Sequence, residues 1–373
     1  MRFRRDAPSL LIAAATAVLV LTGVVSNWLF SGLTTRVEES QFDAMEAILA
    51  FNLEGAESKA LARAEMVADL PATAKLLAAQ DRAGLLAEYA AAFHTQHEKH
   101  GVDQMQFHLP PATSFLRLHA PENYGDDLAA SRPLVVAVNQ EHIPMKAASI
   151  AFSGPAIFGI TPVADAQGNH VGSFEVGIAF GPLLDNLKLA YGLELTLFVQ
   201  EDLLNPEGVP SEVFGDQNRL GKYLKYHSTH WDLMQQLVIA NDVARVEEPI
   251  RYTRTAFDVP YGVLLVPLRN HSGVPIGIIA VAKDFGPSRA AAGQSLVWQT
   301  LLALFGIVTL AGATIVVLRG FFVRPLQMIS TRFGQLADGE PGDPIAETDM
   351  LCEELRELAA QHERLRSKEG GAA

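Results

Sequence analysis

Two stretches decide the fold of this chain: PVADAQGNHVGSFEVGIAFG, residues 162–181, and PLRNHSGVPIGIIAVAKDFG, residues 267–286. The two stretches align with each other at a shift of 105 residues. The matched pairs are Pro162 and Pro267, Gly168 and Gly273, Val171 and Ile276, Gly172 and Gly277, Phe180 and Phe285, and Gly181 and Gly286. In each copy a strand ends near the proline, a glycine-containing turn follows, and a second strand runs toward Phe-Gly. The sequence therefore predicts a β-hairpin that occurs twice.

The repeat indicates two tandem copies of one α+β module, the first over residues 101–181 and the second over residues 193–286. After Gly101 the sequence changes to short alternating or β-branched runs separated by Pro, Gly and Asn, which is typical of strands and turns. We predict an antiparallel sheet and one helix in the first module. The predicted strands are Gln104–Leu109, Ser114–His119, Pro155–Val163 and His170–Phe180, and the predicted helix is Asp126–Gln140.

The segment before the first module is helical by pattern. Residues 31–99 are rich in Ala, Leu and Glu, with apolar residues at helical spacing. Pro71 interrupts this pattern, because proline cannot continue a helix. We expect a long helix, a break near residues 69–71, and one further helix that continues through Leu77, Leu85, Leu86 and Tyr89.

Two uncharged apolar runs, residues 10–30 and 296–318, are each long enough to cross a bilayer as a helix. Arginines precede the first run and follow the second, so the positive-inside rule places both termini in the cytoplasm and residues 31–295 outside. A cleaved signal peptide is the alternative for the first run. Against it, the run is longer than a usual signal-peptide core and lacks a small-residue cleavage site at its end.

Composition excludes several classes of function. The formal net charge of −13 argues against nucleic acid, because phosphate contacts need clustered Lys and Arg. Cys352 is the single cysteine, so an intrachain disulfide is excluded. No nucleophile elbow, phosphate-binding loop or dinucleotide fingerprint stands in a suitable context. We therefore predict neither catalysis nor a cofactor.

One stretch resembles a known family. QFHLPPATSFLRLHAPENYGDDLAASR, residues 106–132, is similar to the signature stretch of double Cache sensor domains, and the likeness extends to Phe180. That family implies a long N-terminal helix and two stacked PAS-like modules, as in bacterial methyl-accepting chemotaxis proteins and sensor kinases. The membrane-proximal module resembles the family in architecture only.

The C-terminal part resembles a HAMP linker, in which a connector joins two helices. The resemblance runs from Arg324-Pro325-Leu326 to Leu365, and residues 338–342 break the helical pattern. Leu351, Leu355, Leu358 and Leu365 follow at near-heptad spacing, which favours a parallel coiled-coil dimer. The segment departs from the family at Glu353-Glu354-Leu355-Arg356, where the usual glycine is missing. No output domain follows, so we expect that a separate protein supplies the output or that the output has been lost.

These features predict a bacterial inner-membrane protein with seven segments. They are residues 1–9, the cytoplasmic N-terminus; 10–30, the first transmembrane helix; 31–100, the helical stalk; 101–189, the membrane-distal module; 190–295, the membrane-proximal module; 296–318, the second transmembrane helix; and 319–373, the HAMP-like cytoplasmic segment.

A small-molecule site needs a few convergent polar groups on an apolar wall. Six polar residues lie within sixteen positions, and three phenylalanines would supply the wall. The polar candidates are Arg117, His119, Tyr124, Asp126, Asp127 and Arg132, and the wall candidates are Phe107, Phe152 and Phe158. Arg117 would clamp a carboxylate, and Asp126 or Asp127 would hold an amine. Alternatively, Asp126 or Asp127 only caps the following helix.

A metal site is the second possibility that the sequence raises. His94, His97 and His100 recur every third residue, with His108 nearby. No acidic or cysteine ligand completes this set, so a solvated polar face is the simpler interpretation. We predict no metal.

The predicted function is a transmembrane receptor of the chemotaxis or two-component type. It would bind an amino acid, an amine or an organic acid outside the cell and act as a homodimer. The alternative is a membrane-anchored structural or regulatory subunit whose Cache-like ectodomain binds a protein partner.

Overall fold

The structure is a computed structural model that describes residues 3–338, 340, 344–345 and 353–369. The chain divides into a central unit, Arg36–Ser288, and a terminal unit made of residues 1–35 and 289–373. The helices are α1 Phe3–Ala68, α2 Pro71–Ala78, α3 Arg82–His100, α4 Pro133–Glu141, α5 Phe180–Tyr191, α6 Trp231–Leu237, α7 Ala240–Val243, α8 Gly286–Val317, α9 Arg324–Ala337 and α10 Glu353–Glu369.

The central unit contains two antiparallel sheets, so the predicted α+β class and the long N-terminal helix are confirmed. The first sheet has the order β2-β1-β5-β4-β3, and the second has the order β7-β8-β6-β11-β10-β9. The strands are β1 Val102–Leu109, β2 Thr113–Arg117, β3 Met145–Ala151, β4 Gly154–Ala164, β5 His170–Ala179, β6 Glu194–Gln200, β7 Arg219–Leu220, β8 Tyr223–Ser228, β9 Ile250–Ala256, β10 Val259–Arg269 and β11 Pro275–Asp284.

The repeated hairpin is present in both sheets, as β4–β5 and as β10–β11. The two turns are built alike. The side chain of Asp165 accepts hydrogen bonds from the backbone N–H groups two and four residues later, and Asn270 does the same in the second turn. Gly168 and Gly273 follow with φ of +85° and +77°, a region that favours glycine. The sequence repeat therefore reflects one turn used twice.

Helix α1 ends at Ala68, and α2 begins at Pro71, so the predicted break is confirmed. The expected single helix after the break is wrong, because α2 and α3 are separate. Gln80 adopts a left-handed conformation (φ +51°), and the Asp81 side chain then caps α3 by accepting the N–H of Gly84 at 2.8 Å. Apolar side chains of these helices pack on the first sheet beside Phe107 and Phe174.

Three predictions in the first module need correction. The predicted helix Asp126–Gln140 begins only at Pro133, because Asp126 binds Arg117 and residues 126–132 form a loop. The strand predicted to reach His119 ends at Arg117. Strand β3, in the sequence MKAASIA, was not predicted, since its small residues resemble neither an alternating strand nor a loop.

In the terminal unit, one helical stretch among the described residues, Val297–Ala337, is long and apolar enough to cross a membrane. A shorter apolar stretch covers Thr16–Ser26. Helices α9 and α10 pack together through Ile329, Leu355 and Ala359. Leu351 and most of the predicted break at 338–342 lie outside the described residues. The two transmembrane helices and the HAMP-like segment remain predictions.

Candidate ligand-binding site

A cavity of about 550 Å³ opens on one face of the first sheet. This volume is within the range of small-molecule sites. Residues 126–133 and the end of β3 form part of its wall, and the second sheet supplies the opposite side. The second-sheet residues are Gln200, Asp202, Leu203, Asn205, Asn270, Val274, Pro275 and Ile276.

Strand register brings three polar side chains together on one side of the first sheet, and two of them line the cavity. Gln106 on β1 is paired with Arg117 on β2 and with Glu175 on β5. Residues opposite each other in adjacent strands project to the same side of a sheet. We call this side the site face. Phe107, the next residue, projects to the other side, where its ring lies 4.4 Å from that of Phe174.

Arg117 is almost fully buried and forms a bidentate pair with Asp126. Its two terminal nitrogens lie 2.9 and 2.7 Å from the carboxylate oxygens, and it also donates to the Asn123 carbonyl. The hydrogen bond from Arg117 lowers the pKa of Asp126, which therefore stays ionised. The Phe152 ring lies 5.5 Å from the guanidinium. The Arg117 guanidinium, which was expected to bind a ligand carboxylate, is therefore already bound to Asp126.

Arg132 forms a second bidentate pair, with Glu175, at 2.7 and 3.3 Å. Both side chains are buried, at 3 % and 0 % exposure. Burial raises the pKa of Glu175, while Arg132 opposes the shift, and the bidentate geometry is that of an ionised carboxylate. The Phe158 ring lies beneath, 4.3 Å from the Arg132 guanidinium. This pair fixes the start of α4 to β5.

The two histidines near this network are neutral. Burial, with help from Arg132 and Arg117, holds the pKa of His108 well below its usual value. Burial and Arg117 likewise lower the pKa of His119 to about 4. Neither ring adds positive charge to the site at neutral pH.

The structure brings five of the nine candidate residues to the cavity wall: Arg117, Asp126, Asp127, Arg132 and Phe152. Phe158 lies behind Arg132, and Phe107 belongs to the core on the other side of the sheet. The remaining two lie outside the lining. The His119 ring is 6.4 Å from that of Phe93, and the exposed Tyr124 ring stacks on the Arg82 guanidinium at 3.6 Å.

The alternative in which an aspartate caps the following helix is wrong. Helix α4 begins after Arg132 without a side-chain cap. Asp127 instead accepts the N–H of Ala129 at 2.9 Å, within the loop. Both aspartates therefore order the loop that borders the cavity.

Several lining residues were not predicted. Gln106 lines the cavity, and Glu175 is the buried partner of the lining residue Arg132. Both could have been noticed in the sequence, because long polar side chains in the strands of a core are seldom buried without a partner. Asp202 and Asn270 lie far away in sequence and reach the cavity only through the packing of the second sheet. No local pattern marks them.

The ionisable groups at the cavity carry a net negative charge. Arg117 and Arg132 each have a carboxylate partner, Asp126 and Glu175. Asp127 and Asp202 add two more carboxylates. Glu201, next to Asp202, pairs with Arg219, whereas Asp202 forms no ion pair in the part of the chain that the structure describes. Such a cavity favours a positively charged group over a bare anion.

The four histidines of the possible metal set do not converge. His94 lies 3.2 Å from Glu98, His97 contacts the Val102 carbonyl, and His108 is buried on the site face, 3.3 Å from the Ser173 hydroxyl. Among the described residues no group of three or more His, Cys, Asp or Glu side chains is arranged to hold a metal ion.

Residues 39–286 match the family model described as a double sensory domain of two-component sensor kinase, and the chain belongs to this double Cache family. The resemblance inferred from residues 106–132 is therefore confirmed. The family places this part of the chain among the sensory domains of chemoreceptors and sensor kinases. No curated protein matches the chain.

Solved structures with distant similarity include the ligand-binding domain of the Campylobacter jejuni chemoreceptor Tlp3 in complex with 4-methylisoleucine. It is 10 % identical, covers 70 % of this chain and 93 % of its own, and has a TM-score of 0.38. The Vibrio cholerae LuxQ periplasmic domain is 12 % identical, with 67 % and 98 % coverage and a TM-score of 0.33. Methyl-accepting chemotaxis protein X is 16 % identical, with 67 % and 99 % coverage and a TM-score of 0.37.

Proposed function

We propose that the chain is a membrane-anchored receptor that binds a small solute bearing a positively charged amino group, an amine or an amino acid. The observation that carries this proposal is the charge of the cavity. Both arginines have carboxylate partners, and Asp202, which forms no ion pair among the described residues, also lines the cavity. An organic acid without an amino group would have to displace Asp126 from Arg117.

In the proposed complex the ammonium group binds between Asp127 and Asp202. Gln106 and Ser149 offer hydrogen bonds from the site face, and Phe152 provides an apolar wall. The amino acid case would in addition need a donor for the ligand carboxylate. The buried Nε of Arg117, which has no hydrogen-bond partner, is the candidate.

Such a solute would contact both sheets at once, because Asp127 belongs to the first module and Asp202 to the second. Binding would then favour one arrangement of the two sheets over another, which is the requirement for a ligand to shift a conformational equilibrium. Strand β11 continues after one residue into α8, so the second sheet is linked to the proposed second transmembrane helix.

We place the central unit outside the cell, with both termini in the cytoplasm and the HAMP-like α9 and α10 passing the signal to a separate output protein. Leu358 and Leu365, seven residues apart, are exposed on α10, which suits a parallel homodimer.

The test is a thermal-shift screen of the central unit, residues 36–288, against amino acids, amines and organic acids. A ligand at one hundred times its dissociation constant should stabilise the fold by about 2.7 kcal/mol. We expect amino compounds to stabilise it and organic acids to have no effect. Asp202→Asn should weaken binding about tenfold or more, a loss of about 1.4 kcal/mol.

The matched control is Asp232→Asn, at another exposed aspartate of the second module, outside the cavity lining. It should leave the affinity unchanged. Stabilisation by organic acids alone would contradict the proposed ligand class. No stabilisation by any compound in a folded protein would favour the alternative, a subunit that binds a protein partner.

A further inference from the structure

Four large apolar side chains of the central unit are exposed at the edge of the second sheet that is formed by strand ends, where β6 begins and β11 ends. They are Leu189, Tyr191, Ile239 and Phe257, with exposures between 46 % and 84 %. We call them the apolar rim. Exposed apolar side chains that are scattered over a surface need no explanation, but those that share one edge indicate an interaction surface.

Strand register shows that Phe257 and the end of α5 lie at the same edge. Phe257 and Asp258 form the turn beyond the last β9–β10 pair, Ala256 with Val259. Tyr261 on β10 is opposite Asp284 near the end of β11, and the first residue of β6, Glu194, is opposite Ala282. Leu189 and Tyr191 directly precede β6, so they lie at this edge with Phe257.

Ile239 joins the rim through the contacts of its neighbours. Arg254, opposite Tyr261, donates to the Leu237 carbonyl at 2.7 Å and pairs with Asp242. The Asp242 side chain in turn accepts the N–H of Ile239 at 3.0 Å. The segment that carries Ile239 therefore lies at the same end of the second sheet as Asp284.

The chain enters and leaves the central unit at this same edge. The N–H of Phe285 donates to the Pro260 carbonyl at 2.8 Å, beside the turn that carries Phe257. The Phe42 ring lies 5.3 Å from that of Phe285, and the Gln41 side chain donates to the Ser288 hydroxyl. In sequence, the candidate membrane span begins nine residues after Ser288, at Val297.

The backbone at Phe257 gives no structural reason for an aromatic residue. Phe257 and Asp258 both have positive φ, +50° and +60°, as in the tight turns that favour Asn-Gly. A bulky side chain is unfavourable in this conformation, and at 63 % exposure Phe257 gains little packing in return. A partner outside the central unit would account for the residue.

We infer that the apolar rim lies in the headgroup region of the lipid bilayer, so that the second sheet is in direct contact with the membrane. This inference rests on the proposed membrane anchoring. Charged residues near the rim give no excess of positive charge that would attract anionic lipid. Lys188 pairs with Glu194 and Arg254 with Asp242, and Asp258 adds a negative charge beside Phe257, so we expect apolar insertion. Aromatic and aliphatic side chains are suited to the boundary between headgroups and acyl chains.

The experiment uses the full chain in phosphatidylcholine vesicles. In a Cys352→Ser background, which removes the only native cysteine, single cysteines at 257 or 189 carry an environment-sensitive fluorophore. Lipids with a nitroxide near the headgroup then quench any fluorophore that enters the interface. Met66→Cys on α1 is the matched control, since Met66 is as exposed as Phe257, at 63 %. Val308→Cys, near the middle of the proposed span, is read with lipids that carry the nitroxide deep in the acyl chain.

We expect labels at 257 and 189 to lose most of their emission, while the label at 66 keeps its emission. Quenching at 308 without quenching at 257 and 189 would overturn the inference and leave the membrane anchor intact. Absence of quenching at 308 would instead refute the anchor on which the inference rests. A blue shift at 257 without lipid quenching would identify a protein contact and would also overturn it.

Discussion

The two repeated hairpins carry different residues at matching positions, and this difference separates a sheet face that borders a cavity from one that a helix fills. Ser173 and Glu175 on β5 correspond to Ile278 and Ala280 on β11. In the first sheet these positions lie on the site face, where Glu175 pairs with the cavity-lining Arg132 and Ser173 contacts His108. In the second sheet they lie in an apolar cluster with Leu233, Met234 and Leu237 of α6.

One backbone unit therefore supports both a filled core and a cavity. In the second sheet α6 covers the face with large aliphatic side chains. In the first sheet α4 covers only the part of the corresponding face near Phe158 and Ile160. Gln106 and Arg117 lie outside this part and line the cavity. The buried ion pairs then satisfy polar groups that no helix covers.

The largest effect should come from Glu175→Ala. This change leaves Arg132 buried without its carboxylate, and breaking a buried pair in this way costs about 3–5 kcal/mol. Urea unfolding of residues 36–288 measures it. The double variant Arg132→Met/Glu175→Met should recover most of the lost stability, because two apolar side chains leave no buried charge. A double variant as unstable as Glu175→Ala would contradict this account.

Truncation in the second module should cost stability without affecting binding. Leu237→Ala removes a fully buried side chain of α6, for which we expect a loss of about 2–5 kcal/mol. Affinity for any ligand found in the screen should stay unchanged at a temperature where the variant is folded. A large change in affinity would show that the second module shapes the cavity from its core.

Acid should destabilise the first module through His119. Its folded pKa, about 4, lies below the usual 6.5 of an unfolded histidine, so the unfolded chain binds more protons between these values. Stability is therefore greatest above about pH 6.5 and falls as the pH drops toward 4, by up to about 3 kcal/mol. Urea unfolding at several pH values should show a smaller slope in this window for His119→Gln. Equal slopes would rule out His119 as the cause.

Local sequence features predicted most of the fold. Pro71 marked the end of α1, the glycines of the repeat marked both hairpin turns, and alternating or β-branched runs marked β1, β4 and β5. These signals are local, because proline and glycine act on their own backbone. Strand β3 and the separation of α2 from α3 were missed, since the small residues of β3 and the left-handed Gln80 give no such signal.

The candidate site was predicted in part. The residues that line the cavity near residue 117 are close in sequence, so their proximity was available from the chain. The partners of the arginines were not. Asp126 was expected to hold a ligand and instead binds Arg117, and Glu175 lies forty-three residues from Arg132.

The sequence by itself determined the repeat, the helical segment with its break before Pro71, and the family, because these depend on local backbone preferences and on hydrophobic periodicity. Only the tertiary structure decided that both arginines have carboxylate partners, that Asp202 and Asn270 border the cavity, and that four exposed apolar residues share one edge. Each of these facts depends on strand register and on the packing of two sheets, which bring together residues that no local pattern connects.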